Sequence, residues 1–224
     1  MHVAGEQEYW LVQTGVGPEK AQQCAARLLE GQSFSLLIST GFACALIAVG
    51  IGALLVGHEV VYSAGTEAEL LPPIDVPGEE RDRLVTYIHS IVSPGHMGRF
   101  VSTDCVIGSA WEKRAFAEKT QAIGLDMESA ALAVEANRAQ TPFIIVRTVS
   151  DLLDEDLPLD FNLFLRPTGW LKGIGSILAA PSCLLGLGRL RRQSLIAGEA
   201  LTVFFRQYVA AMADQRQARV SASM

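Results

Sequence analysis

The sequence predicts a single α/β domain with a mostly parallel central sheet flanked by helices and a helical C-terminal part. Three observations predict it. Short apolar runs alternate with amphipathic stretches as far as Asp151, and beyond it the pattern becomes helical. No linker long enough to divide the 224 residues is present, and no internal repeat. Half the residues are apolar and the mean hydropathy is +0.27, ample for one large core.

Taken in order, Tyr9–Gln13 reads as a short strand that runs into Thr14-Gly15-Val16-Gly17-Pro18. Proline at a first helical position opens a helix through Leu29, and Gly31 closes it. Ala21, Cys24, Ala25, Leu28 and Leu29 recur at helical spacing and give that helix one inward face. Ser35–Ser39 and Ala53–Tyr62 read as buried strands joined by a Gly-rich connection, because strands covered on both faces show unbroken apolar runs. Leu70–Gly78 holds three prolines and reads as a loop. Glu79–Val92 is an amphipathic helix with Leu84, Tyr87, Ile88 and Ile91 on one stripe. Short strands are expected at Arg99–Ser102 and Ala122–Asp126, around a polar helical segment at Trp111–Lys119. Glu128–Arg138 is an alanine-rich helix and Phe143–Val149 a β-branched strand. One or two helices are expected between Phe161 and Leu187, and another over Arg192–Ala213. Residues 161–216 are thus the helical part of one domain that spans 1–224.

Charge and cysteine usage narrow the function. A formal net charge of −6 argues against a general nucleic-acid binder, which needs a basic surface to displace counterions. Cys24, Cys44, Cys105 and Cys183 are scattered without a C-x-x-C pair, so neither a zinc nor a redox site is indicated and no metal is expected. His58, His89 and His96 have no partner at ligand spacing. Met1–Trp10 has no apolar core of the kind a signal peptide needs, and free thiols suit a reducing, cytoplasmic setting. Leu36–Gly57 carries no Asp, Lys or Arg and no Glu, a length that fits a membrane span. Gly41, Gly50 and Gly52 break that run, and the two-strand reading is preferred to a small integral membrane protein.

Three junctions between strand and helix carry unusual residues, where ligands of open α/β sheets bind. Thr14-Gly15-Val16-Gly17 would let the backbone approach a ligand closely, although a tight turn explains it as well. In Gly124-Leu125-Asp126-Met127-Glu128-Ser129 two carboxylates sit where a strand becomes a helix. A helix-cap role is the plain alternative there, but a fixed carboxylate also accepts bidentate hydrogen bonds from vicinal sugar hydroxyls. Arg147-Thr148-Val149-Ser150-Asp151 ends an apolar strand in Ser-Asp. Asp151 is either a turn residue or, half buried with a raised pKa, a general acid for a heteroaromatic leaving group.

In this order, T-G-V-G-P, then Ser39-Thr40-Gly41-Phe42-Ala43-Cys44, then D-M-E-S-A-A, then V-R-T-V-S-D, the sequence resembles the purine nucleoside phosphorylase and nucleosidase superfamily. The similarity is greatest to the branch that holds methylthioadenosine/S-adenosylhomocysteine nucleosidase, and it runs from about Trp10 to Leu165. The resemblance implies N-glycosidic cleavage of an adenosine-type nucleoside, by hydrolysis or phosphorolysis. It implies that Met127 and Glu128 hold the ribose, that Asp151 protonates the purine at N7 and Ser150 orients it, and that Val106 and Ile107 line the base. Thr40, Gly41, Phe42 and Ala43 would form the loop that faces the nucleophile. No cofactor is implied beyond phosphate as a co-substrate. Homo-oligomers are expected, as dimers or trimers.

The segment Leu157–Asn162 and the arginine-dotted stretch Gly169–Arg206 resemble the hopanoid-associated phosphorylases, which act on adenosylhopane. That similarity implies a lipid-linked nucleoside, with Leu184–Arg192 resting peripherally on a membrane surface. Closure of the domain core by the same helices is an equal alternative.

The pattern also departs from the family. Its chain normally opens with a further strand and a glutamate-bearing loop, and this sequence begins after that point, Glu6 and Glu8 lying too late to match. T-G-S-A-G has become T-G-F-A-C, Leu37 and Ile38 stand where phosphorylases carry an arginine, and Val106 replaces a stacking phenylalanine. A member that binds nucleosides without turning them over therefore remains the rival to a working enzyme.

Overall fold

A computed structural model describes residues 8–64, 67–70, 77–92, 96–165 and 183–222. The order is α1 (Pro18–Gly31), β1 (Leu37–Ala45), β2 (Leu54–Ala64), β3 (Glu67–Leu70), α2 (Glu79–Ile91), β4 (Met97–Thr103), α3 (Ala110–Thr120), β5 (Gly124–Asp126), α4 (Ser129–Arg138), β6 (Phe143–Asp151), α5 (Asn162–Leu165) and α6 (Cys183–Ala222).

The expected α/β class is what forms. Parallel pairings join β1 to β6, β2 to β4 and β4 to β5. Antiparallel pairings of β1 with β5 and of β2 with β6 then close the sheet on itself, and β3 is added outside β2. The sheet is accordingly mixed, and closure leaves few strand edges to protect. β6 is buried along nearly its whole length, which accounts for its unbroken apolar sequence. Its alternate residues serve two faces. Phe143, Ile145 and Val149 pack with α1 and α4, while Ile144 and Val146 pack with α2 and α6. A third apolar cluster sets Phe116 and Ala117 of α3 against Val61, Val101 and Leu125.

Several boundaries differ from the sequence expectation. Tyr9–Gln13 is not a strand. No described strand offers it a ladder, and Trp10 instead stacks edge-on against Phe34 and donates to Glu8. Thr40–Ala43, expected as a loop, belong to β1, where they pair with Val146–Val149. Gly41 makes this extension feasible, since its φ of +145° suits glycine. Arg192–Ala213 is part of one continuous 40-residue helix. Of the helices expected between Phe161 and Leu187, α5 and the start of α6 are seen, and 166–182 lie outside the described residues. The uncharged run Leu36–Gly57 is β1, a turn and the start of β2, and among the described residues no helix is long and apolar enough to cross a membrane.

Candidate active site

The carboxyl ends of β1, β5 and β6 and the segment after β4 converge on one cavity of about 400 Å³, within the range of small-molecule sites. Met127, Glu128, Ser150, Asp151, Val106 and Ile107 all line it, as do Phe42 and Ala43. Thr40 and Gly41 are not among the lining residues. The Thr40 hydroxyl is buried with no partner among the described residues, and Gly41 gives way to Arg147, whose Nη1 would lie 3.3 Å from a Cβ placed there.

Backbone irregularity brings Ser150 and Asp151 to the same side. Neighbours on a regular strand face opposite ways. Between Ala43 and Cys44 the β1–β6 register slips, Ala43 facing Val149 and Cys44 facing Asp151, so Ser150 is the extra residue of a bulge. Bulges of this kind re-aim side chains beside functional sites.

The two acids of Asp126-Met127-Glu128 divide the labour. Asp126 is buried and is the cap that the sequence left open. Its Oδ1 accepts from the Glu128 and Ser129 amides at 3.1 Å each and from Ser102 Oγ at 2.6 Å, and its Oδ2 accepts from Ser129 Oγ. Arg147 Nε lies 2.7 Å from Asp126 Oδ2 as an ion pair, although its N–H is not aimed at that oxygen. The same guanidinium donates to the Phe42 carbonyl at 2.9 Å and to Ser39 Oγ at 3.1 Å. Glu128 is thereby freed to face the cavity. One of its oxygens accepts the Gly17 amide at the start of α1 at 2.9 Å, and the other sits 3.5 Å from Arg147 Nη2. Gly17 has φ +96°, which explains the glycine, and Val16 beside it touches the cavity. A carboxylate held from behind keeps lone pairs for two neighbouring hydroxyls.

Asp151 is nearly buried, and that burial raises its pKa above the ordinary carboxyl value against the opposing pull of Lys113. Lys113 Nζ donates to Asp151 Oδ1 at 2.8 Å. Cys44, buried next to Asp151, has its thiol pushed far up by desolvation and by that carboxylate, so it stays protonated. Asp151 is held by Lys113 Nζ on Oδ1 and also accepts a side-chain hydrogen bond from the Cys44 thiol, while Ser150 lies beside it on the wall.

Lys113 and Arg147 have no role in the sequence reading, Cys44 enters it as a departure from T-G-S-A-G, and Leu157, Phe161 and Leu190 fall within the segments linked to a lipid-bearing substrate. Arg147 lies within V-R-T-V-S-D, where the resemblance gives roles to Ser150 and Asp151 alone. Lys113 carried a usable signal. Ser109 and Glu112 form a capping box that fixes the start of α3, and Lys113, Phe116, Ala117 and Thr120 then fall on one inward face.

The family description "Phosphorylase superfamily" matches residues 1–166. The chain belongs to that superfamily. Among its relatives, the 5'-methylthioadenosine/S-adenosylhomocysteine nucleosidase of Staphylococcus haemolyticus is 28% identical over 173 residues, covering 70% of this chain and 75% of the relative. That of Staphylococcus carnosus is 29% identical, over 71% and 75%. The superfamily fold is also that of an S-adenosylhomocysteine nucleosidase from Streptococcus pyogenes solved with 5-methylthiotubericidin, with TM-score 0.57 and 26% identity over 75% of each chain. A Borrelia burgdorferi structure bound to adenine aligns with TM-score 0.54 at 23% identity over 70% of this chain and 73% of that one, which speaks to fold alone.

Proposed function

We propose that this superfamily member cleaves the N-glycosidic bond of an adenosine-type nucleoside and releases the purine base. The observation that carries the proposal is that Glu128 and Asp151, 23 positions apart in the sequence, line the same cavity. Glu128 would accept hydrogen bonds from the two ribose hydroxyls and fix the sugar. Asp151, whose raised pKa favours the protonated form, would deliver its proton to N7 of the purine as the C1′–N9 bond breaks. The bond pair leaves with the base, and water, which loses a proton to solvent, or phosphate adds to the resulting ribosyl oxocarbenium ion. Val106 and Ile107 would flank the purine, and Met127 the sugar.

Release of adenine from 5'-methylthioadenosine, measured with and without phosphate, tests this and separates hydrolysis from phosphorolysis. Asp151→Asn and Glu128→Gln should each lower kcat/KM by about 10²-fold or more. Full activity in both variants would refute the assignment, and adenosine binding without adenine release would identify a binding protein. A second reading concerns the 5′ substituent. Phe42, Leu157, Phe161 and Leu190 give the cavity an apolar flank, which supports a nucleoside with a bulky apolar 5′ group such as adenosylhopane. Under that reading kcat/KM rises with the length of a 5′-alkylthio chain, and a flat or falling series argues against it.

A further inference from the structure

Outside the residues proposed to touch substrate, the most unusual group in the molecule is the ammonium of Lys113. Its side chain has no exposure to solvent, in a helix that otherwise reads as polar. A buried ammonium is costly unless each of its protons is matched. Here all three are: Nζ donates to Asp151 Oδ1 at 2.8 Å, to the Leu152 carbonyl at 3.0 Å and to the Glu155 carbonyl at 2.6 Å. The segment that follows β6 is fastened to the start of α3 by further bonds. The Ala110 amide donates to Asp156 at 2.7 Å, and the Leu157 amide to the Gly108 carbonyl at 2.8 Å. The lysine therefore ties together a helix, a strap of chain and one oxygen of the proposed acid.

We infer that Lys113 is the positioning residue of this site: it holds Oδ1 of Asp151 and the 152–155 strap, and so leaves Oδ2 to carry and deliver the proton. This rests on the functional reading above. The proton passes from Asp151 Oδ2 to the purine nitrogen, the C1′–N9 pair goes to the base, and the carboxylate left behind is met by an ammonium already in place. Lys113 is not among the residues that line the cavity, so it acts through Asp151.

The ionisable groups around Asp151 are Cys44 on β1, Lys113 on α3 and Glu155 in the strap, with Arg189 of α6 reaching Glu155 at 3.9 Å. Of these Lys113 is the cation in direct contact, and it opposes the upward pull of burial on Asp151. The sign follows. A general acid works while protonated, so activity falls as pH rises through its pKa, and removing the cation raises that pKa. In Lys113→Met and Lys113→Gln the falling alkaline limb of kcat/KM for 5'-methylthioadenosine should move up by about one to three pH units, the range an adjacent opposite charge commands. A purely structural lysine would lower activity without moving the limb. Gln removes the charge while keeping two N–H donors on a side chain one atom shorter than Lys. Thermal melting checks that each variant folds.

The wild-type chain supplies a measurement that needs no variant. The buried Lys113 ammonium, bonded through all three protons, should give a ¹⁵N resonance that titrates with the Asp151 carboxyl carbon. A folded variant with the wild-type limb, or a Lys113 resonance that stays flat while Asp151 titrates, overturns the inference. Absence of adenine release by the wild type would sink the functional reading alone, because the coupled resonances still report on the pair.

Discussion

Arg147 and Asp126 show how much of this site is built below the surface that a ligand would meet. Both are buried and lie as an ion pair, with the Asp126 carboxylate also accepting from Ser102 and Ser129 and the guanidinium donating to Ser39 and the Phe42 carbonyl. Removing one member of such a pair strands the other in a poorly solvating interior. Arg147→Met should therefore cost about 3–5 kcal/mol in denaturant unfolding, with Glu128 losing its rear support at the same time. A loss below about 1 kcal/mol would mean that water reaches Asp126. The acids at 126, 128 and 151 were legible in the sequence because carboxylates at strand ends are conspicuous. Which of them was cap and which was free was not legible, since that depends on a serine from β1, another from β4 and an arginine from β6. Lys113 was hidden for the same reason: residue type is written in the sequence, burial is not.

Among the elements, β4 shows how glycine positions admit a large side chain. Phe100 is wholly buried, and Gly57 on β2 and Gly124 on β5 lie against its ring. A Cβ on Gly57 would fall 2.6 Å from Phe100 Cδ2, and one on Gly124 would fall 2.8 Å from its Cε1. Gly57→Ala and Gly124→Ala should each destabilise by about 1–3 kcal/mol through overpacking, visible as a lowered Tm. Adding Phe100→Leu to Gly124→Ala should return part of the loss, and less of it to Gly57→Ala, whose added Cβ also meets Ile145 at 2.9 Å. Strictly additive losses at Gly124 would place its clash elsewhere. Alternating and continuous apolar runs revealed β2, β4 and β6 within a few residues. They did not reveal that β1 continues through Gly41, because glycine and threonine next to a bulky aromatic look like a turn until a partner strand supplies the ladder.

At the scale of the whole molecule, the C-terminal helix is part of the core. Phe204, Tyr208 and Met212 of α6 are buried with Leu84 and Ile88 of α2, and the rings of Phe204 and Tyr208 lie nearly parallel at 6.3 Å. Thr148 Oγ1 of β6 donates to the Ala197 carbonyl at 2.9 Å. Phe204→Ala should cost about 3–5 kcal/mol, measured by chemical unfolding, and a change within about 0.5 kcal/mol would mean that α6 is an appendage. The sequence announced helices here but could not join them, because no side chain marks a break or its absence between Cys183 and Ala222. The closing β2–β6 ladder was likewise unreadable, being a pairing of distant segments.

Leu190 stands on that same helix and also walls the cavity. Whatever settles between Glu128 and Asp151 therefore presses on the last long element of the chain as well as on the strand ends. Occupancy should slow amide hydrogen exchange around 186–197, far in sequence from either acid, so that the tail itself reports when the chamber is full.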